Sequence, residues 1–323
     1  MFLNVNMKKI HVKGVVKLSL VKYEIFSTVV ELGSITRAGE TLGLSQSAVS
    51  HAITSLESKW NFSILNRGRS GIQLTSNGER VLKYVREILK WNEEMVQEIA
   101  NINGLEIGTV RIGTFSSVSI HWLPEIMKIF NENHPSIEIK LLEGDYDDIE
   151  HWITTGLVDF GFVSLPTSKH LEAIPLKKDK MLCILSSEHP LAEQNEIRFE
   201  SIKDEPLIKP KKGSDNDLIR ILKEHHVTPN IKFELSDDQA MISMVENGMG
   251  FSILPEMVLH RLPTNVRTLK LEGDNFRTIG IASSSFKTLA PATKKFIKYL
   301  KSWLSEQSPS INTNEIAKKG SLL

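Results

Sequence analysis

The chain has 323 residues, with 39 Lys+Arg against 39 Asp+Glu, and is 41% hydrophobic and 24% charged. That length accommodates about two or three domains of ~100–200 residues, and the composition is that of a core-forming protein rather than a disordered one. One cysteine, Cys183, excludes an internal disulfide and suits a reducing compartment; no apolar run approaches the ~20 residues of a membrane span, and the lysine-broken N-terminus does not read as a secretory leader, so a cytoplasmic location without a membrane partner is expected.

The zero net charge is an average. Residues 1–75 hold nine Lys+Arg and four acids, a surplus of +5, while residues 76–108 carry −2 and the rest −3. A basic head on a slightly acidic body points toward nucleic acid as a partner of the head, although a solvated basic head would look the same.

Residues 1–17 show no clear period and read as an N-terminal extension, with Met7 as an alternative start. From Leu20 the spacing of Val21, Ile25, Val29 and Leu32 predicts a helix. Gly33 stops it and Ser34 caps a short second helix with Ile35, Ala38 and Leu42 inward. Gly43-Leu44-Ser45 then forms a tight turn, and a third helix runs over about 46–60. Its inner face is Val49, Ile53 and Leu56, and its outer face is Ser47, Ser50, His51 and Thr54. Two short helices joined by a Gly-containing turn fit a helix-turn-helix, and an ordinary helical hairpin with a polar face is the alternative. Small donors and acceptors on the outer face, rather than a Glu/Lys mixture, favour DNA. So does the basic, glycine-bearing tip Asn66-Arg67-Gly68-Arg69-Ser70-Gly71 between apolar flanks, which reads as a two-stranded wing. A helix carrying Gln and Ser can bond base edges in the major groove, and nearby cations hold phosphates. The DNA contacts expected on these grounds are Ser34, Arg37, Gln46, Ser47, Ser50, His51, Thr54, Arg67 and Arg69.

The segments GSITRAGETLGLSQSAVSHAITSLE at 33–57 and ILNRGRSGIQLTSNGE at 64–79 resemble the winged helix-turn-helix of the LysR-type transcriptional regulators. The likeness is dense over about fifty residues. The chain departs from the family pattern at Gly39, often Ala, at His51, often Arg, and at Leu65, often Phe.

A long helix is expected from about 76, capped either by a Ser76/Glu79 box or by Thr75. Leu82, Val85, Leu89, Asn92, Val96 and Ile99 alternate spacings of three and four, an a/d seam. A helix packed on its own domain is the alternative to a dimerisation helix, which the family resemblance implies and which two-fold DNA half-sites would require. Gly104 and Gly108 mark a linker.

Beyond 108 the pattern alternates strand and helix. Strands are expected at 109–113, 137–142, 158–163, 206–208, 231–235, 250–254, 266–271 and 278–282, and helices at about 118–133, 147–155, 216–225, 239–247 and 290–304. This is the grammar of an open, mostly parallel α/β sheet. The body resembles the LysR-type co-inducer domain, whose two lobes are like those of periplasmic binding proteins. The whole chain is thus expected to be an α+β multidomain protein: an extension (1–17), a winged helix-turn-helix (18–75), a dimerising linker helix (76–108), a two-lobed α/β effector domain (109–305) and a mobile tail (306–323). The resemblance places the first lobe at about 109–181 plus 266–305 and the second at about 182–265.

Ligands of such sheets lie beyond the carboxyl ends of strands, near helix N-termini. That rule selects Thr114, Phe115, Ser116, Ser117, Asp145, Tyr146 and Ser164, and across the cleft Lys209, Pro210, Ser236 and Asp237; Gly144, Lys211 and Lys212 lie in the same turns. Ser117, Ser236 and Asp237 equally suit helix capping, and the lysine run equally suits a solvated turn. An Asp at 145 disfavours a carboxylate ligand unless a lysine faces it. No metal-ligand spacing, nucleophile elbow or Walker A sequence occurs, so neither metal, cofactor nor catalysis is expected. The function expected is that of a homodimeric or homotetrameric regulator that binds promoter DNA, at a palindromic site, and a small effector of unknown identity. A solute-binding protein or an enzyme on a two-lobed scaffold is the alternative.

Overall fold

The computed structural model describes residues 19–68, 71–167 and 170–307. The chain forms two compact units, one up to Glu93 and one from Glu94 onward.

In the first unit the expected helices form as α1 (Leu20–Leu32), α2 (Ile35–Leu42) and α3 (Gln46–Trp60). Gly33 ends α1 with a φ of 61°, in the left-handed region where a Cβ is unfavourable. Ser34 Oγ accepts from the Arg37 amide at 3.3 Å and Ser45 Oγ from the Ala48 amide at 3.2 Å, which satisfies one otherwise unpaired donor at each helix start. The wing is the antiparallel pair β1 (Leu65–Gly68) and β2 (Gly71–Leu74), with Leu65 opposite Leu74. Glu57 of α3 accepts from the amides of Ile64 and Leu65 and fixes the wing to the helix. Phe26, Val29, Val49, Ile53 and Ile64 form the centre of the core. Burying each such side chain is worth about 1.5–3 kcal/mol.

The linker helix α4 runs over Ser76–Ile102. Of the two caps the sequence allows, Thr75 is the one formed: its hydroxyl accepts from the Gly78 amide at 2.9 Å and donates to the Ser63 carbonyl at 2.8 Å. Ser76 is already helical, so the Ser76/Glu79 box does not form. A Cβ on Gly78 would stand 2.2 Å from the Ile64 carbonyl oxygen, which is how closely α4 approaches the wing.

The expected a/d seam is divided. Leu82 and Val85 are buried in the first unit's own core, with Leu89 partly buried against it. Packing of α4 on its own domain, rather than on another chain, accounts for that half. Asn92 is half-buried. Trp91, Met95, Val96, Ile99 and Ile102 are 46–77% exposed.

The second unit contains two lobes. The first has β3 (Gly108–Thr114), β4 (Ile137–Glu143) and β5 (Phe160–Leu165), with α5 (Ser116–His121), α6 (Leu123–Asn133) and α7 (Tyr146–Thr154) between them. The single helix expected at 118–133 is broken at Trp122, just before Pro124, whose ring suits only the first turn of a new helix. Next come β6 (Glu172–Ser186) and the two-residue β7 (Glu196–Ile197). After a short α8 (Phe199–Ile202), β8 (Pro206–Pro210), α9 (Asn216–Glu224), β9 (Asn230–Leu235), α10 (Asp238–Glu246) and β10 (Ser252–Pro255) follow, then a 3-10 turn over Glu256–Leu259. The described residues end with β11 (Val266–Leu271), β12 (Phe276–Ser283) and α11 (Pro291–Gln307).

Strand β6 joins the lobes. Its residues Glu172–Lys180 pair with β12, and Met181–Ser186 pair with β10 and β11. Two expectations are corrected here. The sheets are mixed rather than mostly parallel, because β12, β10 and β11 all run antiparallel to β6. And β11 belongs to the second lobe, not the first: among the described residues it pairs with β6 and β7, and Leu271 lies in that lobe's core. The return crossing falls between β11 and β12. The Pro175-bearing half of β6 carries no hydrophobic period, and a bulge beside Pro175 shifts its register against β12.

Helix α11 reaches Gln307, beyond the expected end at 304. The extension at 1–17 and the tail beyond 307 lie outside the described residues.

Candidate functional site

In the first unit α3 presents an outer face. Gln46, Ser47, His51 and Thr54 are exposed and Ser50 is half-buried. Ser47 Oγ lies 2.9 Å from Ser45 Oγ. Arg37 is exposed on α2, while the Ser34 hydroxyl is occupied as a cap. Arg67 lies in β1, opposite Ile72. Arg69 lies outside the described residues. Local helix periodicity and two serine caps therefore bring the expected α3 residues onto one surface.

In the second unit a cavity of about 420 Å³ lies between the lobes. From the first lobe Phe115, Ser116 and Ser117 line it at the start of α5, and Glu143 through Tyr146 with Asp148 at the start of α7. The second lobe adds Pro210, Lys211, Ser214, Ser236, Asp238, Leu254, Pro255 and Val258. Direct ties hold the lobes together. The Tyr146 amide donates to the Gly213 carbonyl at 3.1 Å, and Lys211 Nζ stands 3.4 Å from Asp145 Oδ2. Ser116 Oγ donates to Asp238 Oδ2 at 3.3 Å, and Ser164 Oγ to Asp217 Oδ2 at 2.6 Å. Gly213 has φ 100°, and a Cβ there would meet the Asp145 carboxylate at 2.9 Å, so the close approach of the lobes needs glycine.

The floor of the cavity is Arg277. It stands directly opposite Asp179 where β12 pairs with β6, and both side chains are about 2% exposed. Its Nε donates to Asp179 Oδ2 at 2.8 Å, Nη1 to the Tyr146 hydroxyl at 2.9 Å and Nη2 to Ser117 Oγ at 2.8 Å. The guanidinium carbon lies 5.1 Å from the Phe115 ring centre. Burial pushes the Tyr146 phenol up from its ordinary pKa. Burial also raises the Asp238 carboxyl, with the Ser116 hydroxyl and the Arg277 charge offsetting part of it.

Seven of the eleven expected effector residues line the cavity: Phe115, Ser116, Ser117, Asp145, Tyr146, Pro210 and Ser236. Four do not. Thr114 is fully buried and accepts from the Ser119 hydroxyl. Ser164 is engaged by Asp217. Lys209 is 5% exposed and held by Asp215 at 2.8 Å and Glu234 at 3.0 Å. Asp237 is the N-cap of α10, accepting from the Ala240 amide at 2.7 Å, and this turns its neighbour Asp238 into the cleft. Asp145 is both a cap and a lining residue: with Asp148 it forms a reciprocal capping box on α7. Lys211, which also suits a solvated turn, faces Asp145.

Sequence reasoning missed Arg277 and Asp238. The only signal for Arg277 is a lone cation at the head of an apolar strand; its partners Tyr146 and Ser117 are 131 and 160 residues away. Cys183 is fully buried, and burial pushes its thiol up to about 12, which marks it as packing rather than a reactive group. Among the described residues no group of three potential metal ligands comes together, and no helix is long and apolar enough to cross a membrane.

A helix-turn-helix with a wing and a two-lobed body with a cavity between the lobes define a ligand-responsive DNA-binding regulator. The family model described as bacterial regulatory helix-turn-helix protein, lysR family, matches residues 20–79, and the LysR substrate binding domain model matches 103–305. The HTH-type transcriptional regulator YvbU of Bacillus subtilis (strain 168) is 34% identical, covering 88% of this chain and 98% of the relative. YoaU of the same organism is 30% identical over 86% of this chain and 96% of its own. Among solved structures, full-length OxyR from Pseudomonas aeruginosa has a similar fold, with a TM-score of 0.71 at 20% identity over 90% of this chain and 96% of that one. CbnR, a LysR family transcriptional regulator, gives 0.61 at 18% identity over 88% and 99%. The chain belongs to the LysR family of bacterial helix-turn-helix transcriptional regulators. The solute-binding or enzyme alternative is not favoured.

Proposed function

We propose that α3 enters the major groove of a promoter site, with Gln46, Ser47, Ser50, His51 and Thr54 reading bases and Arg37, Arg67 and Arg69 holding phosphates. Ser34 acts by capping α2, which orients Arg37. Two copies bind a two-fold site and meet along the exposed apolar residues of α4: Trp91, Met95, Val96, Ile99 and Ile102. The protein acts in the cytoplasm, needs no metal or cofactor, and carries out no turnover. A small effector occupies the interlobe cavity. It shifts DNA affinity by binding one lobe arrangement better than another.

The observation that carries this reading is the outer face of α3: exposed, uncharged hydrogen-bonding side chains on a helix whose opposite face is the core. Titration of a fragment from upstream of the protein's own gene, across a salt series and beside scrambled DNA, tests it. Tight binding to the fragment, a steep loss with salt and much weaker binding to scrambled DNA are expected. Equal affinity for both sequences, or binding insensitive to salt, would overturn it.

A further inference from the structure

The cavity carries four carboxylates, Glu143, Asp145, Asp148 and Asp238, against two cations, Lys211 and Arg277. Each cation already has a carboxylate within salt-bridge distance. Arg277 is neutralised by buried Asp179 and spends further donors on Tyr146 and Ser117. Lys211 faces Asp145. Helix N-termini are the other usual anion sites in α/β clefts, and here the chain's own carboxylates occupy them. Asp145 and Asp148 close the start of α7, and Asp237 caps α10. The third helix end at the cleft, α5, is only six residues long.

Among the described residues Glu143, Asp148 and Asp238 have no cation within salt-bridge distance, and of these three only Asp238 is half-buried. It projects into the cavity with the Ser116 hydroxyl as its hydrogen-bond donor. Burial holds its carboxyl above the ordinary range, and the Ser116 hydroxyl and the Arg277 charge only partly offset this. Phe115, Leu254 and Val258 supply apolar lining in the same cavity.

We propose that the effector is a small organic cation, a primary amine or similar group on a short apolar body, with its charge at Asp238 and its body against Phe115, Leu254 and Val258. This rests on the cavity being the effector site. An ammonium would pair directly with Asp238, whereas a carboxylate would add to an existing surplus of negative charge.

The test is calorimetric and thermal-shift titration of the full chain with matched probes: butylamine, 1,4-diaminobutane and benzylamine against butyrate, succinate and benzoate, with butanol and benzyl alcohol as neutral controls. Saturable binding of at least one amine, absence of carboxylate binding, and a loss of tenfold or more in amine affinity in Asp238→Asn are expected. Glu143→Gln, on the exposed rim, should weaken the amine less and guards against a misfolded Asp238→Asn. Carboxylate binding, amine binding unchanged in Asp238→Asn, or binding of no probe would overturn the proposal. Ser236→Trp, which fills the cavity, separates the two levels: carboxylate binding abolished by it refutes the cation but keeps the cavity. Any probe binding that survives it refutes the cavity as well.

Discussion

The outer face of α3 and the interlobe cavity are both polar surfaces, but their hydrogen bonds go to different places. On α3, Gln46, His51 and Thr54 are exposed, and the side chains stand where a partner from outside can reach them. In the cavity the principal groups already bond one another: Arg277 holds Asp179, Tyr146 and Ser117 at once, and Asp145 closes a helix end while facing Lys211. The first surface is open to solvent along the helix. The second is desolvated and pre-paired, so it discriminates through the few groups left wanting a partner.

If that contrast is right, the largest effect of any single change should come from the body. Arg277→Ala leaves Asp179 charged and buried, and removing one member of a buried pair costs about 3–5 kcal/mol. Urea unfolding should show that loss in the second unit's transition, with the first unit's unchanged. A loss under about 1 kcal/mol would mean the floor of the cavity is wetter than described.

On the DNA side the effects should be smaller and separable. Ser47→Ala should narrow the gap between promoter and scrambled DNA by about 1–3 kcal/mol, while Arg67→Ala should lower affinity for both and reduce the salt slope by about one. Equal losses on both sequences from both variants would break the division between base reading and phosphate holding. Thr75→Ala removes the cap that starts α4 and should cost about 1 kcal/mol in thermal unfolding of the first unit.

The smallest effect is a pH dependence. Asp238 is protonated more readily in the folded chain than in the unfolded one, because burial raises its carboxyl. The folded state therefore binds the extra proton, and the contribution to stability is full below the ordinary aspartate range. It is lost as pH rises from that range through the raised folded value. Tm measured across that window should fall with pH more steeply in the wild type than in Asp238→Asn. Parallel curves would show that Asp238 already has a counter-charge.

The same contrast explains what was legible in the chain. The head follows local rules: Ser34 and Ser45 cap, Gly33 stops a helix, and periodicity of three and four puts Ser47, His51 and Thr54 on one face. Seven cavity residues were legible for the same reason, since they follow strands and start helices. Arg277 was not, because its site is assembled by β12 returning beside β6 after a whole lobe has intervened. Of the long β6, the apolar run Met181–Leu185 around Cys183 reads as a strand, whereas the charged first half carries no period and becomes a strand only beside β12. Asp237 and Asp238 were distinguishable only once the cap showed which of the two turns away.

The central claim is that occupancy of the cavity controls the head. The most direct measurement compares promoter affinity of wild type and Ser236→Trp, each with and without the fraction below about 1 kDa of an extract from the source cells, a ceiling set by the ~300–1,000 Å³ of ordinary ligand pockets. The extract should shift the wild-type affinity and leave Ser236→Trp unmoved. A shift that persists in Ser236→Trp, or no shift in either protein, would contradict the account.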